Sequence, residues 1–337
     1  MKNTKHYLAS ANTGLGFIDN FEHILDKDKD GFTYILKGGS GTGKSTLLKN
    51  IGKYYEDKGE EVEYFHCSSD FSSLDGVKIK RCNVSIIDGT APHTKDPKLP
   101  GITDKIINLG YYINDNVSIY KNEVTKLVTE KQKLYSVAYK YLEVIKKLSE
   151  ITLNIYKEEF SETEYKTKYQ GIISSLEIKK LNTPSFNRNL FLEYIDDTKI
   201  NNTINLNNYS KKLELDTNKF LSIKLLTNLQ KELIDNGYSI VTFYDIITNN
   251  ICGIYIQEND TLIYVNLNNY DKELLENETI NFNNIICNSL ISKVATILSR
   301  ARESHKNIEK YYIANMNFSN FGDILQKLLN SIDSKLN

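Results

Sequence analysis

The stretch GGSGTGKS, Gly38 to Ser45, constrains this chain more than any other. It satisfies GxxxxGK[ST], and its context is the one the motif needs. Strand-forming residues Thr33 to Leu36 precede it, and Leu47, Leu48, Ile51, Tyr54 and Tyr55 follow at helical spacing, with Gly59 as a left-handed stop. Glycines at these positions let backbone N–H groups turn inward on a polyphosphate, and the helix N-terminus adds its positive end. The expected binding set is therefore Gly38, Gly39, Ser40, Gly41, Thr42, Gly43, Lys44, Ser45 and Thr46. Lys44 should reach the β and γ phosphates, the Ser45 hydroxyl a Mg2+ ion, and Thr46 the α phosphate. A glycine-rich turn before an ordinary helix is the alternative, and the strand–loop–helix context argues against it.

The surrounding segments supply candidate partners. EVEYFHC reads as a second strand and CNVSIID as a third, so strands alternate with helices and imply a parallel sheet with ligands at the strand ends. Asp88, ending the third strand, is the candidate second oxygen for magnesium; alternatively it caps the turn before Gly89. Asp70, in FHCSSDFSSLDG, is the candidate base or water-orienting residue, with helix capping as the competing reading. His66, Cys67, Cys82 and His93 have metal-binding types but no metal-finger spacing.

A second regularity lies further along. LLTNLQKELIDNGYSIVTF, from Leu225, matches LLKNIGKYYEDKGEEVEYF, from Leu47, at seven of nineteen positions, an offset of 178. The matches are Leu47, Leu48, Asn50, Lys53, Asp57, Gly59 and Phe65, and an internal duplication is the first hypothesis they raise. Between the two stretches, Leu127, Leu134, Tyr141, Leu148 and Ile155 recur every seven residues, the stripe of a long helix with a partner. Ser161 to Leu181 is the expected returning partner, and Pro184 marks the boundary between halves. The expected organisation is a P-loop domain over 1–183, including a helical arm at about 119–182, and a second domain over 184–337.

Length and charge agree. A chain of 337 residues holds two domains at about 150 residues each. A net charge of -1 and a pI near 6.6 give no electrostatic footprint for nucleic acid. The opening MKNTKHYLASANTGLGF lacks a signal-peptide core and no later run is long and apolar enough for a membrane span, so a cytoplasmic location is expected. Four cysteines without CxxC pairing point to reduced thiols. Arginine is scarce beside abundant Lys, Asn, Ile and Tyr, the codon bias of an AT-rich genome, which explains Asn-rich patches such as NNTINLNN without invoking aggregation.

ILKGGSGTGKSTL, FHCSSDFSSLDGV, IIDGTAPHTKDPKLPG and the late EKYYIANMNF resemble a little-characterised bacterial family of duplicated P-loop ATPase-like proteins. The likeness spans nearly the whole chain and is densest in the first half. It implies two tandem P-loop units and nucleotide binding, with no established substrate. Here the second copy departs from the pattern: GGSGTGKST falls on DTNKFLSIK, so Gly38 becomes Asp216, Gly43 becomes Leu221, Lys44 becomes Ser222 and Ser45 becomes Ile223. With Gly76 set against Gly253, Val265 or Asn266 stands opposite Asp88.

Three functions compete. An ATPase or NTP-driven switch would use Lys44, Ser45 and Asp88 on Mg-ATP or another NTP, with the second half as a surface for a protein or metabolite partner. A small-molecule or nucleotide kinase is the runner-up, since IIDGTAPH resembles the strand-Asp-Gly-x-Pro-Arg segment of nucleotide kinases; however, His93 stands where arginine is expected and no Arg-rich lid follows. A nucleotide-binding scaffold without turnover is the third.

Overall fold

Two mixed sheets, each with one helix between its strands, form the core of the chain. The computed structural model describes residues 4–25, 30–265 and 277–336. In chain order the first part contains β1 (Lys5–Tyr7), β2 (Ser10–Thr13), β3 (Gly16–Asp19), β4 (Phe32–Lys37), α1 (Lys44–Asp57), β5 (Val62–His66), β6 (Leu74–Ile79), β7 (Val84–Asp88) and β8 (Asp104–Asn108). Two helices follow, α2 (Lys121–Glu158) and α3 (Glu162–Leu176). Then come β9 (Asn187–Phe191), β10 (Glu193–Ile195), β11 (Ile200–Asn202), β12 (Lys211–Leu215), α4 (Lys219–Asp235), β13 (Ile240–Tyr244), β14 (Ile251–Ile256) and β15 (Thr261–Val265). Helices α5 (Glu278–Ala314) and α6 (Phe321–Leu336) close the described chain.

The expected first, second and third strands are β4, β5 and β7, but they do not form an all-parallel sheet. The order is β1-β5-β6-β7-β4-β8, and β6 runs antiparallel to both of its neighbours. The reason is connection length. Residues 67–73 and 80–83 are too few for a crossover helix, so β5, β6 and β7 can only meander. Parallel pairing is confined to β1 with β5, β4 with β7 and β4 with β8.

The second sheet has the order β9-β13-β14-β15-β12, with the same senses strand for strand: parallel, antiparallel, antiparallel, parallel. Details match as well. The β5–β6 ladder shifts register between Phe65 and His66, and the β13–β14 ladder between Phe243 and Tyr244. Gly59 and Gly237, just after α1 and α4, have φ of 87° and 89°. Tyr7 pairs with Phe65 and Leu190 with Phe243, so Leu8 and Phe191 hold the same position, one residue further on. These two residues bond to each other: Leu8 N–H donates to Phe191 O at 3.0 Å, and Phe191 N–H to Leu8 O at 2.9 Å. Like meets like, antiparallel, as across a twofold axis.

The helices cross between the sheets. Helix α2 finds its partner in α5 and not in the expected segment Ser161 to Leu181. The two run antiparallel, with Asn283 Nδ2 donating to Thr152 Oγ1 at 3.2 Å near one end and Lys131 Nζ 3.3 Å from His305 Nδ1 towards the other. Helix α3, capped by Ser161, lays Ile172 and Leu176 into the core of the second sheet with Leu225, Leu226 and Leu229 of α4. Conversely α6 lays Leu328, Leu329 and Ile332 into the core of the first sheet with Leu47, Leu48 and Ile51 of α1. Each sheet is thus covered by a helix that follows the other sheet in sequence.

Candidate functional site

The glycine loop links β4 to α1 at the carboxyl ends of the parallel strands. Gly41 and Gly43 have φ of 74° and 88°, a region that L side chains rarely adopt, so glycine is required at both for the loop to turn. Thr42 is fully buried and braces the turn, its Oγ1 donating to Gly39 O at 2.8 Å. Lys44 begins α1 and folds back over the loop, with Nζ donating to Gly38 O at 2.8 Å and Gly39 O at 2.7 Å.

Asp88 meets that lysine. Leu36 pairs with Asp88 in the β4–β7 ladder, which brings the end of β7 beside the loop. Asp88 Oδ2 lies 3.6 Å from Lys44 Nζ, while Oδ1 accepts from Thr90 N at 2.9 Å and Thr90 Oγ1 at 2.5 Å. The two readings of this residue are therefore compatible, since one oxygen caps the turn and the other faces the lysine. Ser45 Oγ accepts the Leu74 N–H at 3.0 Å, tying α1 to β6, and Thr46 is exposed.

Asp70 lies in the β5–β6 connection, and no helix follows it to be capped. Its carboxylate accepts from Ser72 N at 3.0 Å and Ser72 Oγ at 2.7 Å, a local turn. Burial pushes its pKa up, but the Ser72 hydrogen bonds and the charges of Lys306 and Arg302 outweigh this and hold it low. Arg302 of α5 also donates to Ser69 O at 3.1 Å, and Tyr135 of α2 to Ser69 Oγ at 2.7 Å. Both long helices therefore pin the segment that carries Asp70.

The four thiol and imidazole candidates do not converge. His66 Nε2 is 2.8 Å from His6 Nδ1, whereas Cys82 Sγ bonds Ile79 O in the β6–β7 turn, away from the loop end of the sheet. His93 packs against Phe21 with ring centroids 4.6 Å apart and donates from Nδ1 to Asp88 O at 2.9 Å. Burial lowers its pKa, but Asp75, with Oδ2 at 3.6 Å from Nε2, together with Asp88 and Asp19 raises it overall. His93 is thus a support under Asp88.

In the second sheet, the three-residue connection 216–218 replaces the glycine loop, and Leu221, Ser222 and Ile223 are already helical in α4. Leu221 and Ser222 are buried, at 2% and 1% exposure. Val265, opposite Leu215, takes the position that Asp88 holds opposite Leu36; Asn266 lies outside the described residues.

A strand, a glycine nest with its lysine, a helix and a strand-end carboxylate facing that lysine now stand together. The chain matches a model of the KAP family P-loop domain over residues 16–247. It belongs to this family. Membership makes it a P-loop ATPase-like protein, and the matched span, from the start of β3 to just past β13, includes strands of both sheets. Comparison with curated proteins and with solved structures yields no match. Among the described residues no helix is long and apolar enough to cross a membrane.

Sequence reasoning missed what α5 brings to this KAP site. Tyr312, Ile313 and Glu309 lie directly on the loop, and His305 and Lys131 stand behind them. The one signal was that the resemblance-bearing EKYYIANMNF starts at Glu309.

Proposed function

We propose that the glycine loop of the first sheet binds Mg-NTP and that the protein hydrolyses it, acting as an ATPase or nucleotide-driven switch. The observation that carries this reading is the pairing of Lys44 with Asp88 at 3.6 Å beside the loop. Lys44 would neutralise the β and γ phosphates, and Ser45 Oγ with Asp88 Oδ2 would hold a magnesium ion, the Lewis acid of the reaction. Asp70, pinned near Lys306 and Arg302, is the candidate to orient the attacking water.

We further infer that the second sheet is a copy of the first with its phosphate site dismantled. Matching strand order, matching register shifts and the offset of 178 support this. The copy then serves as a surface for a protein or metabolite partner. The kinase reading loses support because His93, at the position expected for a phosphoryl-clamping arginine, is buried beneath Asp88. Phosphate release by purified protein, with and without Mg2+ and with and without a metabolite pool, tests the proposal. Release without acceptor supports hydrolysis; strict dependence on an added metabolite would transfer the assignment to the kinase.

A further inference from the structure

Three glycines of the loop are overlaid by residues from the far end of the chain. A Cβ on Gly39 would meet Tyr312 Cε1 at 3.0 Å, one on Gly41 would meet Glu309 O and Ile313 Cγ1 at 2.9 Å, and one on Gly43 would meet Phe321 Cε2 at 2.9 Å. Close helix approach, and not φ alone, demands glycine here. Glu309 thus lies directly over Gly41, with its backbone O and Cα 2.9 and 3.4 Å from where a Gly41 side chain would begin, and the Gly41 N–H bears on its carboxyl. That N–H is one of those a loop of this kind offers to a phosphate oxygen.

Glu309 is backed by a line of bases. His305 Nε2 lies 3.6 Å from Glu309 Oε1, and His305 Nδ1 lies 3.3 Å from Lys131 Nζ on α2. The end of α5 is clasped by the segment after β8: Asn114 N–H donates to Asn315 O at 2.8 Å, and Asn317 N–H to Tyr112 O at 2.8 Å. The other end of α5 lies against the second sheet's side of the molecule, where Cys287, Val294 and Leu298 share a core with Phe191 and Ile246.

We propose that Glu309 is a stand-in for the polyphosphate, lying over Gly41 when no nucleotide is bound and leaving it when one enters. This rests on the reading that the loop binds NTP. Two anions cannot occupy one place over the loop without strong repulsion, so an incoming β–γ phosphate displaces the carboxylate and with it the clasped end of α5. Nucleotide binding is thereby transmitted along α5 towards the second sheet. Lys131, released from the His305–Glu309 line, becomes available as a counter-charge for the γ phosphate.

The test uses the full chain, with inorganic tripolyphosphate and ATP as probes in titration calorimetry. Glu309→Gln keeps the shape and removes the competing charge, so both probes should bind about tenfold more tightly, because no like charge then opposes the phosphate over Gly41. Hydrogen exchange of the wild-type protein supplies an independent reading: amides over 305–318 should exchange faster on adding ATP. Equal affinity in both proteins, or unchanged exchange over 305–318 in an ATP-saturated sample, would overturn the stand-in while leaving NTP binding intact. If neither protein binds either probe, the NTP reading itself falls, and the stand-in with it.

Discussion

Arg188 of β9 and Glu63 of β5 join the two sheets through a forked ion pair, with Nη1 to Oε1 at 3.1 Å and Nη2 to Oε2 at 2.8 Å. Both side chains are buried, at 1% and 2% exposure. The exchange is mutual. Lys5, at the position in β1 that Arg188 holds in β9, sends its ammonium to Asp260 of the second half at 2.8 Å.

This pair should make the fold acid-sensitive. Burial alone would raise the Glu63 carboxyl, but the charges of Arg188 and Lys78 outweigh it and hold the group at about 2, below an ordinary value of 4.5. A depressed folded-state pKa contributes stability that is fully present above the unfolded value and is lost as pH falls through the folded one. The urea midpoint should therefore drop between about pH 4.5 and about 2. Arg188→Ala, which strands a buried carboxylate, should cost about 3–5 kcal/mol at neutral pH. A midpoint that changes little in this variant would mean that the pair does not tie the sheets together.

Removing the loop cation should cripple binding. Hydrogen bonds to a charged group contribute about 1.5–3 kcal/mol each, so Lys44→Ala should lose roughly ten- to more than a hundredfold in ATP affinity. Calorimetry on a folded variant with unchanged affinity would reject the loop assignment.

Asp88→Asn separates metal from nucleotide. The amide can still cap the turn through its oxygen but cannot neutralise a divalent cation, so Mg2+-dependent turnover should fall far more than metal-free binding. Comparable turnover in the two proteins would leave Asp88 as a turn residue.

Stoichiometry addresses the second sheet. Lys219 heads α4 and faces Asp245 at 4.0 Å, but with Leu221 and Ser222 built into a buried helical turn the glycine nest of the first sheet has no counterpart among the described residues, so one chain should bind one NTP. Two sites by titration, or one surviving in Lys44→Ala, would contradict this.

The crossing of the helices can be weighed directly. Ile332 of α6 is fully buried beside α1, and Ile332→Ala should cost about 2–5 kcal/mol in chemical denaturation. A cost below about 0.5 kcal/mol, typical of surface changes, would make α6 peripheral.

The glycine loop was legible because its chemistry is local: strand, turn and helix residues stand side by side in the sequence. Strand β6 was not legible, since LDGVKI carries two charged residues and a glycine, yet it is buried throughout as the centre of a meander. Asp75 and Lys78 are held inside by neighbours that only the fold assembles. The heptad stripe of α2 announced a partner but could not name it, because apolar periodicity records that a face is covered and not by what. For the same reason Glu309 gave no sign of its role: it reaches Gly41 only after α5 has crossed from one sheet to the other.

That crossing sets an order of events during synthesis. The first sheet and its loop leave the ribosome early, but the core that seats α1 lacks Leu328, Leu329 and Ile332 until residues 321–336 emerge. Helix α3, in contrast, precedes the second sheet and is ready for α4 when it arrives. Domains generally fold as they are made, N-terminal first. Here the earliest sheet is the last to be closed, so a nascent chain should not gain a finished nucleotide site until almost all of the described sequence has been translated.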